Sequence, residues 1–216
     1  MPNITFFKKI LTSDIFVYFD DAQYAIRSWD NRNKIKTPNG SMWLTVPVSD
    51  YYLKNLNEVC ISNSTNWQKK HLAAIKSSYG KSPFFKNYWS DLESILNRKW
   101  EKLIELNFAI INFINSELKI NTKTICSSEL NVDGKSSEKL LNICKKLNGT
   151  IYRSGPMSKN YLDENIFNQS GIKIEYENFD NSPYTQINGE FLPNMSIIDL
   201  LFNEGPNSKK FLNDTT

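Results

Sequence analysis

The stretch SSEKLLNICKKLNGTIYRSG, residues 136–155, decides the fold class. Ser136, Ser137 and Glu138 offer hydroxyl caps and an early acid, as a helix start requires. Leu140, Leu141, Cys144 and Leu147 share one apolar phase, so the helix runs to Leu147. Asn148-Gly149 stops it, because both residues tolerate the left-handed conformation of a helix end. Thr150–Tyr152 then reads as a strand that runs into Ser154-Gly155-Pro156. Helix, tight stop and strand in succession point to an α/β fold.

The same alternation extends both ways. Downstream, a short helix over 160–169 ends at Gly171, a strand covers 172–176, and Ser196 caps a helix over 196–202 (SIIDLLF). Residues 207–216 read as a polar tail that frays. Upstream, Lys123–Cys126 is a strand leading to Ser127-Ser128. Residues 84–118 carry apolar side chains at helical spacing, from Leu92 through Leu106 to Leu118, as one long helix or two with a break. Pro83 separates them from a helix that starts at Trp67 behind a Thr65 or Asn66 cap. Residues 5–12 form a short helix, and Ile15–Phe19 (IFVYF) is a buried strand. A polar turn follows, and then an alternating strand over 41–48 (SMWLTVPV) behind Pro38-Asn39-Gly40. Leu56–Ile61 is a further strand candidate. The expected architecture is α/β: a single domain over 1–206, with a partly parallel sheet flanked by helices and a long helical segment in the middle.

Composition narrows the function classes. The 216 residues, 40% of them hydrophobic and 23% charged, suffice for one well-buried domain. Basic residues exceed acidic ones by 26 to 23, a net charge of +3. That excludes a general nucleic-acid binder but leaves room for a local patch that holds a phosphorylated ligand. The chain has no apolar run of about 18 residues, so no membrane span is expected. The opening MPNITFFKKILTSDIF lacks the apolar core of a signal peptide, which makes a cytoplasmic location the expectation. Three cysteines (Cys60, Cys126, Cys144) without CxxC spacing indicate neither a disulfide framework nor a structural zinc site. One histidine, His71, rules out a His-based metal cluster. With no Walker motif and no GxGxxG, no cofactor is expected.

Ligands of open α/β sheets bind beyond the carboxyl ends of the strands. Three candidate strands end in polar loops there: IFVYF into Asp20, Asp21 and Gln23, KTIC into Ser127 and Ser128, and TIY into Arg153, Ser154 and Gly155. Convergence of the three on one rim would make a ligand site. Arg27, Arg32, Lys34 and Lys36 are candidates for phosphate, the arginines as bidentate forks. The plainer reading is that Asp20 and Asp21 end a strand while Arg27 and Arg32 solvate a hairpin. His71 is the natural general base, being the one side chain that ordinarily titrates near neutrality. It shares a helix face with Trp67 and Ile75, where a structural histidine is the commoner outcome. Cys144 lies on an apolar phase and reads as an inert thiol. Trp29, Trp43 and Trp67 are able to stack a base or sugar, with core packing as the commoner use.

DIFVYFDDAQYAIRSWDNRNKI followed by WLTVPV resembles the WbqC-like family, as do WQKKHLAAIKSSYGKSPFF, LLNICKKLNGTIYRSG, YLDENIFNQSGIKIEY and SIIDLLFNEGP. The resemblance is ordered and runs from about residue 4 to 206. Members of that family occur with genes for bacterial surface polysaccharides, especially those making nucleotide-activated amino sugars. The resemblance therefore implies a transferase that attaches an acyl or aminoacyl group to such a sugar in O-antigen-type biosynthesis. Its partners would be the sugar nucleotide and the acyl or aminoacyl donor. The set Asp20, Gln23, Arg27, Trp29, Asn31 and Arg32 matches the family pattern position by position, which implies one wall of a polar site. His71, Ser154 and Gly155 gain weight in the same way. The implied roles are His71 and Asp20 in catalysis, with Asp21, Gln23, Arg27, Trp29, Asn31, Arg32, Ser127, Ser128, Ser154 and Gly155 binding substrate. The family usually opens with an extra strand and a Gln-Pro loop ahead of the segment that starts here at Pro2, so the expectation is either a late start or a domain that lacks that strand. Two other readings stand beside the transferase. One is a nucleotide-binding or nucleotidyl-transferring domain whose Asp pair holds a divalent cation, and the other is a non-catalytic accessory protein of glycan assembly.

Overall fold

A computed structural model describes residues 1–178 and 182–213. Two parallel strand pairs carry the α/β character. β1 (Ile15–Tyr18) pairs with β6 (Lys123–Cys126) in the register Ile15 to Lys123 and Tyr18 to Cys126. β7 (Ile151–Ser154) pairs with β8 (Lys173–Tyr176). The β7–β8 connection is helical, as parallel neighbours require: α6 (Glu164–Gln169) links the two strands, while α5 (Ser136–Lys146) leads from the first pair to the second. The strands form small two-stranded sheets rather than one continuous sheet.

The polar turn holds more order than its composition suggests. β2 (Arg32–Thr37) begins inside it and forms an antiparallel hairpin with β3 (Gly40–Thr45). RNKIKT does alternate, with Asn33 and Ile35 buried on one face, but its charges mask the pattern. Lys36 is also buried, its ammonium donating to the Gly189 and Glu190 carbonyls at 3.1 and 2.5 Å. Of the strand expected over 41–48, the last part is instead β4 (Val48–Ser49), paired with β5 (Cys60–Ile61). Residues 56–58 form a single 3-10 turn.

The middle segment is three helices: α2 (Trp67–Tyr79), α3 (Phe85–Asn97) and α4 (Leu103–Glu117). The break between α3 and α4 is pinned by the Trp100 indole, which donates to the Ile95 carbonyl at 2.9 Å. Ile75, Leu92, Leu96, Leu103, Ile110 and Ile114 share one hydrophobic core with α7 (Ile197–Glu204), whose residues through Asn203 are all buried. Gly205 ends α7 at φ +55°, and any Cβ there would overlap the Phe84 ring, so only glycine fits. The serines at two helix starts do other work. Ser137 accepts the Asp163 amide at 3.0 Å, and the Ser196 hydroxyl is buried without capping its helix.

The expected tail folds further than its polarity implies. Residues 208–213 form α8 (Ser208–Asn213), which packs on α1 (Ile4–Leu11) and buries Leu212 completely. Leu212 and Phe211, the latter against the Tyr184 ring at 5.8 Å, hold an otherwise polar segment to the core. Residues 214–216 of that tail lie outside the described residues. A second, smaller cluster of Leu141, Cys144, Leu162, Phe167 and Ile172 underlies β7 and β8. Burial pushes the Cys144 thiol up to about 11, which leaves it a small hydrophobe. Among the described residues no helix is long and apolar enough to cross a membrane.

Candidate functional site

The β1–β6 register brings two loops together. Asp20 follows β1 and Ser127-Ser128 follow β6, so the parallel pairing sets them side by side. Asp20 is buried, and its carboxylate accepts from the Ser128 amide (3.0 Å), the Ser128 hydroxyl (2.6 Å), the Ser127 hydroxyl (3.1 Å) and the Asn57 amide (3.3 Å). Burial pushes its pKa up, but the bonds from Ser128, Ser127 and Asn57 together outweigh burial and leave it below the usual carboxylate range. Asp21 accepts the Ser127 hydroxyl at 2.6 Å and the Lys139 ammonium at 2.6 Å. The single Ser127 proton serves one carboxylate at a time, and the shorter contact is to Asp21. The same Lys139 ammonium sits 5.4 Å from the Phe19 ring. This is a saturated anionic knot that locks two strand ends to α5. Burial and the charges of Asp20 and Glu129 push the Cys126 thiol beside it up to about 11.

That saturation has a measurable consequence. Asp20→Ala removes the acceptor of the Asn57 amide and of the Ser128 amide and hydroxyl, and a donor left unpaired where water does not reach it costs about 1–3 kcal/mol. A loss of about 2–4 kcal/mol in urea unfolding is expected, and a loss under about 0.5 kcal/mol would show that the knot is ornamental.

The hairpin and α2 enclose a different kind of site. A cleft of about 360 Å³ is lined by Trp43, Leu44, Thr45, Trp67, Lys70 and His71, among others. His71 is 6% exposed, lies edge-on to Trp67 with ring centroids 5.2 Å apart, and has Nε2 3.1 Å from the Thr45 carbonyl. A carbonyl only accepts, so Nε2 carries the hydrogen and Nδ1 keeps its lone pair. Burial lowers the His71 pKa to about 4, so the ring is neutral at pH 7. Nδ1 of His71 and Nε1 of Trp67 are both buried without a partner. Unpaired polar atoms are rare inside native proteins and cluster where a ligand or water belongs.

At the edge of this cleft the Arg32 guanidinium lies 4.4 Å above the Trp43 ring and the Lys34 ammonium 5.1 Å from it. Trp29 flanks Trp43 at 5.4 Å. Asn31 ties the loop down, its amide donating to the Val46 carbonyl at 3.0 Å, and Asn107 donates to the Asp30 carbonyl at 2.9 Å. Arg27 is exposed at φ +61°, and Gln23 bridges to Asn55 through its backbone.

The sequence candidates thus occupy three neighbourhoods. Asp20, Asp21, Ser127 and Ser128 meet at the β1–β6 end. Trp29, Asn31, Arg32 and His71 gather around the hairpin and the cleft. Ser154 and Gly155 close β7, which pairs with β8. There the Ser154 carbonyl accepts the Glu177 amide at 2.9 Å, and a side chain at Gly155 would meet the Lys9 ammonium at 3.6 Å. Lys139, Asn57 and Lys70 escaped the sequence reading. For Lys139 a signal existed, since the first turn of a helix that follows a strand lies over the strand's end.

Parallel strand pairs joined to helices, with a cleft lined by Trp43, Trp67 and His71, define an α/β domain. The chain belongs to the WbqC-like protein family, which it matches over residues 1–211. It is similar to a protein of Mycobacterium tuberculosis, named uncharacterized protein Rv1507c, with 35% identity over 211 residues that cover 96% of this chain and 91% of that protein. No solved structure matches the chain.

Proposed function

We propose that the protein is a transferase that moves an acyl or aminoacyl group onto the amine of a nucleotide-linked amino sugar, in bacterial surface-polysaccharide biosynthesis. The observation that carries this reading is His71, held neutral in one tautomer in the wall of a cleft rimmed by tryptophan and cationic side chains. The sugar amine attacks the acyl carbonyl carbon, a C–N bond forms, and the bond to the donor's leaving group breaks. The proton lost by the amine passes to His71 Nδ1 and from there to the leaving group. The unpaired Trp67 indole N–H in the same wall is a donor for the developing oxyanion. Asp20 serves this site from a distance by fixing the strand ends, its carboxylate being engaged by Ser128 and Asn57.

A nucleotidyl-transfer reading needs Asp20 and Asp21 to hold a divalent cation. Their oxygens are taken by hydroxyls, amides and the Lys139 ammonium, a donor set that repels a metal. The transferase reading is tested by incubating the protein with uridine-diphosphate amino sugars and either acyl-CoA thioesters or aminoacyl donors. The expected result is an amide product, detected by mass spectrometry as the sugar nucleotide plus the acyl mass. Failure of every donor to yield that mass, with the protein folded, overturns the reading and favours an accessory role.

A further inference from the structure

We infer, resting on the reading of the cleft as a sugar-nucleotide site, that Arg32 and Lys34 stacked on Trp43 grip the ligand's diphosphate while Trp29 stacks its nucleobase. The hairpin register puts Arg32 opposite Thr45 and Lys34 opposite Trp43, so all four side chains leave the same face. The Arg32 guanidinium is held over the Trp43 indole, 4.4 Å from its centroid, and its terminal N–H groups stay available as a fork. That is the geometry for bidentate contact with phosphate, which an ammonium then supports as a point charge. Arg32 and Lys34 are two residues apart on a strand, about 7 Å, a span that flexible side chains close onto adjacent phosphates.

Their charges are otherwise unspent. Among the described residues neither Arg32 nor Lys34 forms an ion pair, and Arg32 Nε is buried without a partner. The aromatic surface is unspent too: Trp43 is 40% exposed and Trp29 53% exposed. Large aromatics that sit in water beside unpaired cations suit a ligand with a flat ring and an anionic tail, and a nucleoside diphosphate has both. Trp43 and Lys70 line the cleft as well, so a sugar attached to the distal phosphate reaches toward His71. Arg27 is on an exposed loop.

The test is titration of the protein with uridine diphosphate, inorganic pyrophosphate and uridine, read by tryptophan fluorescence and calorimetry. Uridine diphosphate is expected to bind more tightly than pyrophosphate, and pyrophosphate more tightly than uridine. Arg32→Ala is expected to weaken both phosphate ligands about tenfold or more, and Arg32→Lys less, because it keeps the charge and loses the fork. Trp29→Leu is expected to weaken uridine diphosphate about fivefold or more while pyrophosphate is unaffected. Lys146→Ala on α5 serves as the control for charge alone. Affinity unchanged in Arg32→Ala and Lys34→Ala, or equal loss of both ligands in Trp29→Leu, overturns the assignment. Transfer activity without uridine diphosphate binding rejects this subsite and leaves the transferase. Binding as described without any transfer keeps the subsite and rejects the transferase.

Discussion

Asp199→Ala is expected to cost about 3–5 kcal/mol of folding stability, a large part of the 5–15 kcal/mol typical of a whole domain. Asp199 sits on α7, fully buried, and accepts the Tyr79 hydroxyl at 2.7 Å, the Tyr184 hydroxyl at 2.7 Å and the Gln186 amide at 2.9 Å. The Tyr79 hydroxyl in turn accepts the Lys36 backbone amide at 2.8 Å, so β2, α2, α7 and the segment around Tyr184 meet at one carboxylate. Burial raises the Asp199 pKa, and the donors from Tyr79, Tyr184 and Gln186 pull against that rise. Alanine leaves the buried Tyr79 and Tyr184 hydroxyls without their acceptor, each worth about 1–3 kcal/mol, while the Gln186 amide keeps the Leu192 carbonyl and the Tyr184 hydroxyl. Asp199→Asn keeps one acceptor oxygen and is expected to cost roughly half as much. Urea unfolding of both variants checks the ranking. A loss under about 1 kcal/mol in Asp199→Ala would show that the hub is peripheral to stability.

Such a hub is nearly invisible in the sequence, because the Asp199 partners lie 13, 15 and 120 residues away. Its one trace is a lone acid inside SIIDLLF, a helix apolar on every side, where an unpaired carboxylate would be costly. What the sequence disclosed was local. Apolar runs bounded by Asp, Ser or Asn-Gly marked β1, β6, α5 and β7, because a buried strand or helix face must end where backbone groups find other partners. The meeting of Asp20 with Ser127 followed from strand-end logic once β1 and β6 were parallel. β2 was hidden because Arg32 and Lys34 are only half-buried and Lys36 is buried with its ammonium on the Gly189 and Glu190 carbonyls, so three cations sit where a strand pattern expects apolar or neutral residues. The cleft was hidden for a different reason. His71, Trp67 and Ile75 announce a helix face, but the Thr45 carbonyl that fixes the imidazole arrives from a hairpin 26 residues earlier. Periodicity finds the face and cannot find what covers it.

For His71 the expected results come as a pair, one in stability and one in rate. Its folded pKa of about 4 lies below the ordinary 6.5. As pH falls below about 6.5 the unfolded chain takes a proton that the folded ring refuses until about 4, so stability is lost across that window. The loss amounts to about 3 kcal/mol for this one group, at 1.36 kcal/mol per pKa unit. His71→Gln can keep a donor to the Thr45 carbonyl but does not titrate. Relative to wild type, the variant should therefore gain about 3 kcal/mol as pH is lowered through the window, measured by urea unfolding at successive pH values. In the rate the direction reverses. Loss of a positioned base is expected to cut single-turnover transfer by about 10²–10⁴-fold at pH 7, with substrate affinity near wild type. Wild-type turnover should be level near neutrality and fall only as Nδ1 protonates near pH 4. If the variant gains its acid stability and still turns over normally, His71 is a buried structural histidine and the proton goes elsewhere. If the pH window does not narrow, the imidazole is more solvated than its place against Trp67 implies. A neutral imidazole held by one carbonyl is a poor place to store a charge and a good place to catch a proton in passing, and the two measurements separate those properties.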